Sequence, residues 1–269
     1  MTGNFCFPRA SLVAVRLFNM KKERIDNLLV ELGFADSLPK AKALIMTGVV
    51  LINEKRIEKP SETFPANAEI RIKGDSKANK YVGRGGIKLE KALEHFQIRT
   101  GEYICLDIGA STGGFTDCLL QNGAKKVVAV DAGTNQLDWK LRNDARVEVR
   151  ENTNARYLKP EDFAQPFDLI VMDVSFISVT KILPALVPLL KDAGIIIVLI
   201  KPQFEVGKTE VGTGGIVRET EKHERVVAEI NQFAEACGLK SSGVIDSPIL
   251  GAEGNKEFLA IYETAKMRV

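Results

Sequence analysis

Residues 103–120, "YICLDIGASTGGFTDCLL", decide the fold. An apolar strand containing a single acid, Asp107, runs into Gly109, a turn of small residues, and a helix start at Gly113 and Gly114. Glycines let a backbone approach a ligand closely, and a helix start offers N–H groups that lack intrahelical partners. A dinucleotide-binding turn needs G-x-G-x-x-G, and a Walker loop ends in Gly-Lys-Ser/Thr. The order here, Gly109-x-x-x-Gly113-Gly114, is neither. A tight turn of purely structural use is the competing reading.

Downstream, "KVVAVDAG" ends a second strand at Asp131, about 20 residues on, where an acid commonly grips ribose hydroxyls. An aspartate that merely caps the turn is the alternative. A glycine turn plus an acid, without a phosphate-binding fingerprint, fits a nucleoside ligand better than a dinucleotide, and S-adenosylmethionine is the obvious one. "FDLIVMDVSF" then delivers Asp173 to a strand end, and "AGIIIVLIKPQFE" delivers Lys201, followed at once by Pro202. Read structurally, Asp173 and Lys201 form a salt bridge of modest worth. Read functionally, they set up proton transfer, because a desolvated lysine near a second cation can take a proton from a hydroxyl.

These strands alternate with helical segments, which predicts an α/β fold: an open, mostly parallel sheet with helices on both faces. "ILPALVPLLKDAG" and "RVVAEINQFAEACG" are expected to be helices, with His223, in the helical "EKHERVVAEI", a surface residue, and "KPQFEVGKTEVGTGGIVRE" a loop over the site. Ahead of this body lies a small α+β module. "ERIDNLLVELG" places Ile25, Leu28, Leu29 and Leu32 at helical spacing and stops at Gly33; "SLPKAKALIMTG" begins at Ser37 and ends at Gly48. "VVLINEKRI" alternates around a turn at Asn53 and Glu54. The expected division is an extension, disordered, over residues 1–20, the module over 21–74, a linker over 75–83 and the body over 84–269.

The chain has 269 residues, 45% hydrophobic and 27% charged, and no apolar run approaches the roughly 20 residues of a membrane-spanning helix. Its four cysteines show no C-x-x-C pairing, and with only two histidines neither a disulfide framework nor a metal site is expected. Residues 21–91 carry 15 Lys and Arg against 10 Asp and Glu, whereas residues 92–269 carry 20 against 25. A basic module on a mildly acidic body suggests a polyanion-binding appendage, although solvated helix faces would produce the same balance.

With "YVGRGGIKL", "DIGASTGGFTD", "NTNAR", "MDVSFIS" and "KPQFEVG" assembled, the chain from Lys21 onward resembles the TlyA family, the haemolysin-A-like rRNA methyltransferases. These join an S4-type RNA-binding domain to an FtsJ-like, Rossmann-like class I methyltransferase. The resemblance implies a Lys-Asp-Lys-Glu tetrad for 2'-O-methylation at Lys88, Asp173, Lys201 and Glu257, with Lys201 removing the ribose proton. It implies cofactor contacts at Asp107, Gly109, Ser111, Gly113, Asp131 and Asn154, and RNA phosphate contacts at Arg24, Lys40, Lys42, Lys55 and Arg56. S-adenosyl-L-methionine would be the cofactor, and ribosomal RNA or ribosomal subunits the partner. Neither a membrane nor an obligate protein partner is implied, and the compartment is cytoplasmic. The chain departs from the family pattern at Ser37-Leu38, where Ser-Arg is usual, and in the extension before Met20. A non-catalytic ribosome assembly factor and a membrane-lytic haemolysin are the competing functions.

Overall fold

The computed structural model describes residues 22–31, 34–35, 37–52, 55–65, 68, 70–72, 80–251 and 254–264. The expected extension, the stop at Leu32 and Gly33, the turn at Asn53 and Glu54, and residues 75–79 of the expected linker lie outside them. The chain divides into two units, Met1–Ala78 and Asn79–Val269.

In the first unit the two helical patterns form helices: β1 (Lys22–Arg24), α1 (Ile25–Glu31), α2 (Leu38–Met46), β2 (Val50–Ile52), β3 (Lys55–Arg56), β4 (Thr63–Pro65) and β5 (Ile70–Ile72). β2 pairs antiparallel with β3 and β5, and β1 with β4. Ile25, Leu28, Leu29, Ala41, Ile45, Val50, Ile52 and Ile57 form its core. Burying each larger side chain contributes roughly 1.5–3 kcal/mol, so this small core depends on both helices turning their apolar stripes inward. Ser37 takes the extended backbone of an N-cap, but its hydroxyl makes no capping bond.

The second unit carries α3 (Gly85–His95), β6 (Ile104–Ile108), α4 (Gly114–Gln121), β7 (Lys126–Val130), α5 (Trp139–Arg142), β8 (Val147–Arg150) and β9 (Phe167–Met172). After these come α6 (Leu183–Leu186), β10 (Leu190–Ile200), α7 (Pro202–Glu205), α8 (Thr220–Ala236), β11 (Leu239–Asp246) and β12 (Phe258–Thr264). The strands form one seven-stranded sheet in the order β11-β12-β10-β9-β6-β7-β8. β6 to β10 are parallel, and β12 runs antiparallel to both neighbours. The continuous apolar runs follow from burial on both faces: Leu106, Val128, Ile170 and Val198 face α6 and α8, while Cys105, Val127, Val171 and Leu199 face α3 and α4. The chain leaves β6 for β7 and β8, then returns to β9 on the other side of β6. Strand order therefore reverses beside β6, and the crevice for a ligand opens at the carboxyl ends of β6 and β9.

Two expectations fail for identifiable reasons. The helix expected from Ile182 shrinks to α6 and a following 3-10 turn, Val187–Leu189, because Pro184 and Pro188 lack the N–H that a longer helix needs. His223 is buried at 7% exposure, since it shares one face of α8 with Val226, Ile230 and Ala234 at spacings of three and four residues.

Candidate active site

The body's candidate residues stand beyond strand ends on one edge of the sheet, with two exceptions, Lys88 on α3 and Asp107 within β6. Gly109 adopts φ +81°, and a Cβ there would lie 2.3 Å from the carbonyl oxygen of Asp173. Only glycine permits that conformation together with that approach, so the turn after β6 presses directly on the loop after β9. Asp173 N–H donates to Ile108 O at 2.9 Å and completes the joint. Gly113 occupies the N-cap of α4. Asp131 gathers the neighbouring backbone, its Oδ2 accepting from Ser111 N–H at 2.8 Å and its Oδ1 from Gly133 N–H at 2.7 Å. Each carboxylate oxygen retains a further lone pair for a ligand hydroxyl.

Asp107 lies beneath this surface, fully buried, with Oδ2 accepting from the Thr116 hydroxyl at 2.6 Å and Oδ1 buried without a partner. Burial pushes its carboxyl up to about 7 against the opposing Thr116 bond, and the charge of Asp173 adds to the rise. Asn154 is exposed, and its Oδ1 accepts from the N–H and Nε of Arg156, each at 3.2 Å.

The four tetrad candidates form two adjoining ion pairs. Lys88 Nζ donates to Glu257 Oε2 at 2.6 Å, with the side chains 10% and 2% exposed. Lys201 Nζ stands 2.6 Å from Asp173 Oδ1, outside hydrogen-bond angles, and donates to Ser175 Oγ at 2.9 Å. The start of α3 joins the pairs: a Cβ on Gly85 would lie 3.7 Å from Asp173 Oδ2, three residues before Lys88. Buried ion pairs are weak stabilisers because desolvation offsets their attraction. One such pair, with a second, partly buried one near it, at the carboxyl edge of an α/β sheet suits chemistry better than stability.

Three contributors escaped the sequence reading. Ser175 holds Lys201. Phe176, 91% exposed at φ +64°, has its ring centroid 5.1 Å from that of Phe204. It lies inside "MDVSFIS", where the reading of the strand end singled out Asp173 alone. Backbone strain at an exposed aromatic three residues after Asp173 makes Phe176 a candidate site residue. Glu151 accepts from the N–H groups of Asn135, Gln136 and Leu137 and from Arg142 Nη2 at 2.6 Å, bracing the loop after Asp131. Burial works to raise its carboxyl, but those four donors prevail and hold it at about 2.

In the first unit Lys40 and Lys42 lie exposed on α2, and Lys55 and Arg56 exposed on β3. Arg24 is partly committed, its Nε and Nη2 donating to the buried carboxylate of Asp26 at 3.0 and 2.8 Å. Leu38, where the family usually has arginine, is 43% exposed. Among the described residues no His, Cys, Asp and Glu cluster could hold a metal ion, and no helix is long and apolar enough to cross a membrane.

Residues 81–263 match the FtsJ-like methyltransferase family and residues 23–70 the S4 domain. YqxC of Bacillus subtilis is 50% identical over 240 residues, covering 89% of this chain and 85% of its own. The 16S/23S rRNA (cytidine-2'-O)-methyltransferase TlyA of Mycobacterium tuberculosis is 44% identical over 244 residues, 91% of each chain. A solved structure of a Streptococcus thermophilus protein named as a hemolysin is 47% identical, with a TM-score of 0.71, and covers 91% of this chain and 90% of that one. These matches cover the body and the front module alike, and the chain belongs to the TlyA family of FtsJ-like methyltransferases that carry an S4 domain.

Proposed function

We propose that this chain transfers a methyl group from S-adenosylmethionine to a ribose 2'-hydroxyl of ribosomal RNA, with cytidine as the nucleoside. The observation that carries the proposal is Lys201, held by Asp173 and Ser175 at the carboxyl edge of the sheet beside the buried Lys88–Glu257 pair. The names of the relatives support the substrate class. Cytoplasm is the compartment this reading requires, and it calls for no protein partner beyond the ribosomal subunit.

The residues present suit the cofactor. Asp131 can accept from ribose hydroxyls, the turn from Gly109 to Gly113 lets a nucleoside lie against bare backbone, and Asn154 stands beyond the next strand. When bound, the cofactor supplies a methyl group on sulfur with a neutral thioether as leaving group. In its neutral form Lys201 Nζ would take the proton of the attacking hydroxyl. Asp173 and Ser175 hold Nζ in place, while Glu257 fixes Lys88 beside Asp173. Alignment and proton removal are the main tasks, so the effect of Lys201 falls in the range of general-base catalysis, roughly 10²–10⁴-fold. In the same reading residues 21–74 grip RNA through Arg24, Lys40, Lys42, Lys55 and Arg56, positioning it without reading bases, and residues 84–269 carry the chemistry.

The test is labelled methyl transfer to ribosomal subunits from a strain lacking the gene, comparing wild type with Lys201→Ala. Label at one site that resists alkaline cleavage and is lost in the variant is expected. Cofactor binding without transfer to either subunit overturns the proposal and favours a non-catalytic assembly role.

A further inference from the structure

Between α7 and α8 the chain makes a glycine-rich excursion over residues 206–219, and one buried amide fixes its course. Val217 N–H donates to Asn255 Oδ1 at 3.0 Å, and Asn255 Nδ2 donates to Gly215 O at 2.9 Å. Asn255 is 2% exposed. Leaving such an amide buried and unpaired would destabilise the fold, and the backbone of the excursion satisfies both of its ends. His223 Nε2, 2.9 Å from Val217 O, secures the same residue from α8. Residues 212–215 are exposed by contrast, and a Cβ on Gly214 or Gly215 would meet nothing within 4 Å.

Asn255 also closes the seat of Glu257. Its carbonyl accepts from Gly251 N–H at 2.8 Å, and Gly251 fits so tightly that a Cβ there would lie 1.9 Å from Glu257 Oε1. On the backbone side, Ser247 N–H donates to Glu257 O at 2.9 Å. The carboxylate that holds Lys88 is therefore framed by a turn whose closing residue is the one that grips the excursion.

We infer that Asn255 is a positioning residue that locks the 206–219 excursion to the seat of Glu257, so that the excursion and the Lys88–Glu257 pair are set together. The effect on turnover rests on the methyl-transfer reading; the lock itself does not. Cofactor binding lies apart from it, because β9 and β10 separate β12 from the strands that carry the glycine turn and Asp131. RNA pressing on residues 212–215 would bear on the tetrad through this one side chain.

Asn255→Ala removes both bonds, and Asn255→Asp keeps the acceptor for Val217 while losing the donor to Gly215. Trypsin cleavage after the exposed Arg218 reads the lock without catalysis, and hydrogen exchange over residues 212–217 and 247–258 reads its coupling to Glu257. For Asn255→Ala the expected results are cleavage at least tenfold faster, faster exchange in both segments, kcat on ribosomal subunits at least tenfold lower, and cofactor Kd changed less than twofold. Asn255→Asp is expected to fall between, and it carries the test if the alanine variant does not fold. A general structural defect would instead weaken cofactor binding along with turnover. Unchanged cleavage overturns the lock; faster exchange confined to residues 212–217, or unchanged kcat, overturns the coupling. If the wild type methylates neither subunit, the functional proposal has failed, and cleavage and exchange still decide this one.

Discussion

Removing one partner of the Lys88–Glu257 pair should destabilise the body, and removing both should restore much of that loss without restoring activity. In Glu257→Met, Lys88 loses the carboxylate it is paired with while 90% of its side chain stays covered. Breaking a buried pair from one side costs roughly 3–5 kcal/mol, because an uncompensated charge remains. The second unit is of a size at which each kcal/mol moves Tm by about 2–4 °C, so a fall of roughly 6–20 °C is expected. The lower half of that range is favoured, since Lys88 keeps some contact with water. In the double variant Lys88→Met and Glu257→Met, no charge is stranded and two thioethers of similar length fill the space, so most of the lost Tm should return. Calorimetry of the three proteins gives the first readout and methyl transfer to ribosomal subunits the second. A single variant that loses less than about 3 °C would refute the stranded-charge argument. A double variant that retains turnover would refute the role given to the pair.

Asp131→Ala deletes an acceptor for ribose hydroxyls and frees the N–H groups of Ser111 and Gly133; cofactor Kd measured by titration calorimetry should rise roughly 10–100-fold, the equivalent of about 1.4–2.8 kcal/mol. Phe176→Ala removes an exposed face suited to stacking a base, worth about 1–3 kcal/mol; kcat/KM on the subunit should fall roughly 5–150-fold with Tm within about 1 °C, and an unchanged kcat/KM would remove the ring from the site. Asp107 titrates at about 7 in the folded chain, above an ordinary unfolded value of about 4, so the native state holds its proton more tightly. Its burial therefore erodes stability as pH rises from about 4 to about 7, by up to ~4 kcal/mol. Asp107→Asn should gain in urea midpoint relative to wild type across that window, whereas a constant difference at pH 5 and pH 8 would contradict the assignment.

Much of the sheet could be read from residues because its strands are buried on both faces, and such strands announce themselves as apolar runs, like "YICLDI" around Asp107 and the run before Lys201. The strand ends were equally legible, since Gly109, Asp131, Asp173 and Lys201 each interrupt an apolar run. The irregular region from Val179 to Leu189 was not: its leucines repeat at helical spacing, and only the two prolines oppose that pattern. His223 was misjudged because a polar letter hides its place on an apolar helix face. Within the site, Lys88 and Glu257 look like ordinary surface charges in isolation, and only resemblance singled them out. Their meeting depends on tertiary packing, as do the support of Ser175 for Lys201 and the two-ended grip of Asn255, whose partners are backbone atoms without any sequence signature.

The position of β12 bears on when the enzyme can first act. It is the last strand of the described chain, yet it lies inside the sheet between β10 and β11, and Glu257 precedes it by one residue, 169 positions after Lys88. During synthesis β11 has no partner among the strands until β12 arrives, and Lys88 waits without its carboxylate. On the proposed mechanism, catalytic competence is therefore a late event in the life of the nascent chain, acquired when Glu257 and β12 have emerged and inserted.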